Sequence, residues 1–350
     1  MHPNSNHVNV VTGFRTFLQS RRERGPRGVV ERALQALEAA ALRTIEIFGT
    51  REVANTLYIM AKTRYRSWDQ TLVPKLEGRA EALAGTFNAQ AVANTLWAYA
   101  TMGREPGAGV MRELEGRAET LAGSFNAQDV ANTLWAACVF SILPAPGEGR
   151  RWINAIAHRL VSLGKDVCLN AADRCQVHQF FVCCTWEPRL RVEEIPDMRA
   201  LKETCREAFE CTQTAPSATQ KQVSETLRHM GLSVEDEVRC PKSGYSIDIL
   251  VVGHLGMGGE SSDSHLGMVD IHDSHQGMGG ESSSSVRTWA VEFDGPQHFL
   301  ASRAPTGATL LKRRHLELLG HALVIVPYWE WDGCKGIGER VQYLRGKLAH

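Results

Sequence analysis

The sequence lacks any Cys-x-x-Cys pair, although it carries nine cysteines (138, 168, 175, 183, 184, 205, 211, 240 and 334). An odd set without that spacing predicts neither a thiolate zinc site nor a disulfide scaffold, and reduced, intracellular thiols are the simple reading. A surplus of charge is missing too: 39 Lys and Arg balance 39 Asp and Glu. Nothing therefore draws the whole molecule to nucleic acid or to an anionic membrane, and any such attraction must be local. No apolar run reaches the roughly 18 residues of a membrane-spanning helix, so a soluble chain without a membrane partner is expected. What is present is ordinary for a folded protein, 43% hydrophobic and 22% charged residues, which excludes a wholly disordered or fibrous chain. A length of 350 residues predicts two or three domains.

Self-similarity organises the first part of the chain. Leu76 to Gly85 (LEGRAEALAG) returns 38 residues later at Leu114 to Gly123 (LEGRAETLAG). A second block follows each copy, Phe87 to Trp97 (FNAQAVANTLW) and Phe125 to Trp135 (FNAQDVANTLW). An eroded copy precedes them at Phe48 and Val53 to Tyr58, and a decayed fourth unit runs from Trp152 to Trp186, where Asn170-Ala171-Ala172-Asp173 opens a similar segment. Each unit reads as two helices. The first, rich in Ala, Leu and Glu, ends at Gly85 or Gly123, suited to a left-handed cap. The second is capped by Asn88 or Asn126 and carries an apolar stripe through Val92, Leu96 and Tyr99, or Val130 and Leu134. Neither helix can bury its stripe alone, so stacked pairs forming an α-solenoid over residues 29–215 are expected, with a concave binding groove. Identical positions in successive units are assigned to packing: Asn55, Asn94 and Asn132 as a hydrogen-bonded ladder, Trp97 and Trp135 as core. Positions that differ between units are the candidates for reading a ligand: Arg51, Gln90 and Gln128; Glu52, Ala91 and Asp129; Tyr99 and Ala137.

Residues 1–28 hold Arg15, Arg21, Arg22, Arg24 and Arg27 against one acid, Glu23. They form either a basic segment resembling an organellar transit peptide or a basic helix end before the fold begins. From about Ala218 the pattern changes, and an α/β domain is expected over residues 218–350. Gln220 to Gly231 is helical and Ser233 to Val252 strand-like. Thr288 to Asp294 is a strand, Thr306 to Leu319 a helix, Ala322 to Val326 a strand buried on both faces, and about Gly336 to Leu348 a last helix. Interrupting this domain, residues 253–285 are Gly, Ser, His and Met with five acids and no Lys or Arg, and are read as a disordered insertion. Its four histidines (254, 265, 272 and 275) are read as incidental metal ligands.

Alternation along a strand places Glu292 and Asp294 on one face. If the strand holding Asp248 pairs with it, three hard oxygen ligands meet that would suit Mg²⁺ or Mn²⁺. Gly295-Pro296 returns Gln297 and His298 toward the cluster, and Lys312, Arg313 and Arg314 supply cations for a phosphate. Such a set could carry metal-assisted phosphodiester hydrolysis. The alternative is that the acids are solvated or salt-bridged to the Lys-Arg-Arg run.

The stretch Trp289 to Phe299 (WAVEFDGPQHF), with Thr306 to Arg314, Leu319-Gly320 and Val326 to Trp331, resembles the RAP domain over about Ser233 to Leu348. RAP domains are similar to the restriction-endonuclease fold. By that resemblance Asp248 matches the first acid of the nuclease motif and Glu292 the second, while Asp294 stands where the family's lysine is usual and Lys312 could substitute for it. The 38-residue units are similar to octotricopeptide-type repeats, and repeats followed by a RAP domain resemble organellar RNA-maturation and translation factors. The resemblance implies single-stranded RNA as partner, an organellar RNA-processing complex as setting, and the mitochondrion, or alternatively the chloroplast, as compartment. Three functions are carried forward: an RNA-binding factor whose contacts include Arg51, Gln90, Gln128, Gln297, His298, Lys312, Arg313 and Arg314; a Mg²⁺-dependent endoribonuclease using Asp248, Glu292, Asp294 and Lys312; and a protein-interaction solenoid.

Overall fold

The computed structural model describes residues 12–13, 27–63, 71–141, 151–164, 169–187, 199–212, 216–253 and 287–349. Most of the basic segment 1–28 and of the insertion 253–285 lies outside them. The chain divides into two compact units, one of residues 1–215, 239–245 and 294–320, the other of residues 216–238, 246–293 and 321–350.

The first unit is built from helix pairs: α1 (Arg27–Thr44) and α2 (Thr50–Thr63), α3 (Leu72–Leu83) and α4 (Ala89–Thr101), α5 (Ala108–Leu121) and α6 (Ala127–Val139), α7 (Arg151–Ser162) and α8 (Ala171–Trp186), then α9 (Arg199–Glu210). The second helices stack α2 on α4 on α6 on α8, with α9 against α8, and the first helices stack α3 on α5 on α7. Asparagine starts the second helices α4, α6 and α8, as their sequences predict. Asn88 accepts from the Ala91 N–H at 2.8 Å, and Asn126 and Asn170 form capping boxes with Asp129 and Asp173. Each cap satisfies a helix-end donor and is worth about 1 kcal/mol.

The first helices do not end in left-handed glycines. Gly85 and Gly123 sit inside 3-10 turns, Ala84–Thr86 and Ala122–Ser124, and neither has a positive φ. Tightening the helix lets it run on until the next residue, Phe87 or Phe125, drops into the core, as Phe48 does after the turn Ile45–Ile47; all three rings are fully buried. Their carbonyls then take an arginine from the following unit: Arg79 Nε donates to Phe48 O at 2.7 Å, Arg117 Nη2 to Phe87 O at 2.7 Å, and Arg159 Nε to Phe125 O at 2.9 Å. This arginine ladder, and not the asparagine ladder expected from the sequence, ties unit to unit. Among the described residues no hydrogen bond joins Asn55, Asn94 and Asn132.

The same unit contains α11 (Gly307–Leu318), which packs on α4, α6 and α8. Its segment thus clusters with the repeats, although the sequence reading placed it wholly in the α/β domain. Gly307 makes that approach possible, because a Cβ there would lie 1.8 Å from the Ala100 carbonyl oxygen. Thr306 caps the helix by accepting from the Thr309 N–H.

The second unit holds α10 (Ala218–His229) and a four-stranded sheet in the order β1 (Ser233–Arg239), β2 (Ser246–Gly253), β3 (Arg287–Asp294), β4 (Ala322–Pro327), followed by α12 (Tyr328–Trp331) and α13 (Ile337–Leu348). β2 and β3 are antiparallel, in register from Ile249↔Val291 to Gly253↔Arg287. Val223 and Leu227 of α10, Ile249, Val251, Trp289 and Val291 of the sheet, and Leu344 and Leu348 of α13 form its core. β4 lies at the sheet edge, with Val324 and Val326 buried but Leu323 and Ile325 half-buried. The expectation of burial on both faces fails there because an edge strand is covered on one face more fully than on the other.

Candidate nucleic-acid interface

Two places hold the residues singled out by the sequence, and they differ in what surrounds them. The first is on the repeats. The N-terminal turns of α2, α4 and α6 bring Arg51, Gln90 and Gln128 to one groove of about 280 Å³, whose walls also include Asn55, Tyr58, Ile59 and Asn94. The 38-residue period does this directly: equivalent positions of stacked helices must line up, so a residue type repeated at one position becomes a row. Arg51, Gln90 and Gln128 are exposed, and Asn55 and Asn94 are half-buried one turn further along. Among the described residues none of these five side chains makes a hydrogen bond. Four side-chain amides and a guanidinium therefore present unengaged donors and acceptors in one concavity.

One more turn along, Tyr58, Trp97 and Trp135 form an aromatic row. Ring centroids are 4.9 Å apart for Tyr58 and Trp97 and 6.5 Å for Trp97 and Trp135, both tilted by 36°. Lys62 lies over this row, its Nζ 4.8 Å from the Trp97 centroid and 5.6 Å from that of Tyr58. Such an arrangement fixes a cation above an aromatic floor. Burial raises the Tyr58 phenol pKa, which keeps the ring neutral. Asn55, Asn94 and Tyr58 were assigned to packing or passed over from sequence alone; their equal spacing with Arg51, Gln90 and Gln128 was the signal that could have found them.

The second place is the end of the β2–β3 ladder. Asp248 and Glu292 belong to the second unit and stand side by side on these paired strands. The Asp248 N–H donates to Glu292 Oε1 at 3.4 Å, and the Phe293 N–H donates to Asp248 Oδ2 at 3.0 Å. Each carboxylate thus accepts a main-chain donor of the opposite strand where the regular ladder stops. Asp248 is half-buried and Glu292 only 3% exposed.

Asp294 and Lys312 belong to the first unit. Asp294 is buried and accepts from Arg313 Nη2, with His298 Nδ1 3.4 Å from its other oxygen. An open acidic face shared by Glu292 and Asp294 is accordingly not formed: both are buried, and Asp294 carries the ion pair that the sequence reading held as its alternative. Arg314, expected to hold a phosphate, is engaged as well. Its Nε donates to Glu187 Oε1 at 2.9 Å, Nη1 to Val139 O at 3.3 Å, and Nη2 to Cys138 O. Burial would raise the Glu187 pKa, but His315 and Arg314 hold it below the usual carboxylate range. Lys312 is half-buried on α11; Gln297 is exposed and His298 half-buried in the 3-10 turn Pro296–His298.

Residues 291–347 match the RAP domain family. That segment is similar to RAP domains. Residues 20–57, 84–96 and 122–134 match a family described as a protein of unknown function (DUF1601), and these stretches fall on the repeating helices. A mitochondrial FAST kinase domain-containing protein 3 from Bos taurus is 45% identical over 60 residues, 17% of this chain and 9% of that protein. A chloroplastic RAP domain-containing protein from Oryza sativa subsp. japonica is 39% identical over 61 residues, 17% of this chain and 10% of that protein. The human FAST kinase domain-containing protein 3 is 42% identical over 60 residues. The match therefore spans about a tenth of these relatives. Among the described residues no helix is long and apolar enough to cross a membrane.

Proposed function

We propose that this chain is an RNA-binding factor acting in organellar RNA processing, stability or translation, with the repeat groove tracking single-stranded RNA. The observation that carries the reading is the row Arg51, Gln90 and Gln128, backed by Asn55 and Asn94 and by the Tyr58–Trp97 row with Lys62 over it. Unpaired bases offer hydrogen-bonding edges and flat faces, which duplex RNA hides in its stack and in a deep, narrow groove. Amides and a guanidinium can meet the edges, aromatic rings the faces, and Lys62 and Arg51 the phosphates. The zero net charge of the chain makes this contact depend on local cations, so binding weakens steeply with salt. The RAP domain is read as a second contact on the RNA backbone through Gln297, His298 and Lys312. The names of the relatives fit an organelle, and of the two compartments we favour the mitochondrion.

Titration of fluorescent single-stranded and duplex oligoribonucleotides tests this. Single strands should bind at least tenfold more tightly than duplex, and Gln90→Ala/Gln128→Ala should lose on the order of 2 kcal/mol of binding at unchanged melting temperature. Equal affinity for both RNA forms, or a double variant that binds like the parent, removes the reading. A protein complex formed without RNA, and no RNA shift at low salt, would point to the protein-interaction solenoid.

The pairing of Asp248 with Glu292 favours a second reading, a Mg²⁺-dependent endoribonuclease. Those two carboxylates are of the kind that could hold a divalent ion. Its test is cleavage of bound RNA in Mg²⁺ against EDTA: Asp248→Ala and Glu292→Ala must abolish cleavage and leave binding intact, and cleavage surviving in both ends that reading.

A further inference from the structure

A side-chain cluster on the first unit shares no residue with the repeat groove. Cys183 lies in the last turn of α8, Glu187 is the residue that closes that helix, and His315 comes from α11. Cys183 Sγ and His315 Nε2 are 3.0 Å apart, and that nitrogen is 3.5 Å from Glu187 Oε1. A thiol sulfur, an imidazole nitrogen and a carboxylate oxygen all fall within 4.8 Å of one another, and all three residues are buried. Cys138 of α6 extends the set, being near enough to Cys183 for the two thiols to interact. We propose that Cys183, Glu187 and His315, with Cys138 as a fourth ligand, bind a structural transition-metal ion of the zinc class.

Four features carry this beyond proximity. His315 is oriented through its other nitrogen: Nδ1 is 3.1 Å from the Tyr245 hydroxyl, which also accepts from Gln179 Nε2 at 2.9 Å. Metal-ligating histidines are held in this way by an outer partner. Nε2 then faces two acceptors at once, and one N–H cannot serve sulfur and carboxylate equally, whereas an ion between them meets a lone pair of each. Charge also closes: two thiolates and one carboxylate balance a divalent ion together with Arg314, whose guanidinium already lies on Glu187. On binding, the two thiol protons leave to solvent. The mixture of sulfur, nitrogen and oxygen donors, buried with every position filled from the protein, is that of a closed structural site and not of one holding a reactive water. Its effect would be to fasten α11 to α6 and α8.

The full-length chain, purified without chelator and dialysed to remove loose metal, should carry about one zinc per molecule by elemental analysis. Exchange to cobalt(II) should give thiolate-to-cobalt absorption that is lost in Cys183→Ser and in His315→Gln and kept in Cys184→Ser, whose residue is adjacent in sequence but outside the cluster. A folded wild-type chain that holds no zinc and takes up no cobalt overturns the proposal, leaving the cluster a hydrogen-bonded clamp. So does a cobalt spectrum unchanged by Cys183→Ser. Should Cys183→Ser not fold, the wild-type zinc content and the weakened retention expected of Glu187→Gln decide the matter.

Discussion

The arginines of α11 and the polar row of the repeat groove carry similar chemistry under opposite conditions. Arg313 is ion-paired with Asp294, and Arg314 with Glu187 and two main-chain carbonyls, whereas Arg51, Gln90 and Gln128 have no hydrogen bond among the described residues. A buried charge without a partner costs several kcal/mol, so the first kind must be satisfied by the fold. An exposed amide in a concave row loses nothing until a ligand arrives. The difference teaches that a basic run in a sequence says little about a ligand site until its partners are known, and that the uncharged amides are the better indicators here.

The contrast can be broken most forcefully at Gly307. In Gly307→Ala the added Cβ would sit 1.8 Å from the Ala100 carbonyl oxygen, so either α4 or α11 must move. Overpacking of this severity costs about 3 kcal/mol or more. We expect the denaturant midpoint to fall while RNA affinity at low denaturant changes far less, since the groove lies at the other end of α4. An unchanged midpoint would mean that α11 does not pack on the repeats as described.

Next in size is the arginine ladder against the glutamine row. Arg117 gives two hydrogen bonds to the Phe87 carbonyl, and its loss leaves that acceptor without its charged donor. Arg117→Ala should lower stability by about 2 kcal/mol, read as a fall in melting temperature, and leave RNA binding near the parent value. Gln128→Ala should do the reverse. Should both variants lose stability, or both lose binding, the separation between a tying face and a reading face would be wrong. Smaller again is Lys62→Gln, which removes the cation over Trp97 but keeps a polar chain of similar length. About 1 kcal/mol of RNA affinity should go, and the slope of log affinity against log salt should flatten by about one unit.

These expectations also mark what could be read before the structure. Repetition made the helix pairs and the caps at Asn88 and Asn126 legible, because each interface is written several times. The same repetition misled at Asn55 and Asn94, since identity between units cannot separate a shared core from a shared groove. Arg79 and Arg117 were plainly repeated, yet their partners are carbonyls at Phe48 and Phe87, about 30 residues distant, and main-chain acceptors leave no mark in a sequence. Asp248 beside Glu292 followed from pairing two strands. The Cys183, Glu187 and His315 cluster did not, because His315 is more than a hundred residues from the other two and meets them only once α11 has packed on the repeats.

The smallest effect concerns the second unit and acid. Partial burial would raise the Asp236 pKa, but hydrogen bonds from Arg228 and Ser224 outweigh it and hold the carboxyl below its ordinary 3.8. A folded pKa depressed below the unfolded one means stability fully present above about pH 4 and lost as pH falls through the lower folded value. The Arg228–Asp236 pair is well exposed, at 45% and 36%, so solvent screens most of that gain. Asp236→Asn should therefore leave neutral melting nearly unchanged and flatten only the acid limb of the stability curve, with high salt having much the same effect on the parent. This sharpens the opening contrast, because a surface pair with partners should behave energetically more like the groove than like Asp294 and Arg313. If Asp236→Asn instead destabilised the chain strongly at neutral pH, exposure would be a poor guide to which charged groups hold this fold together.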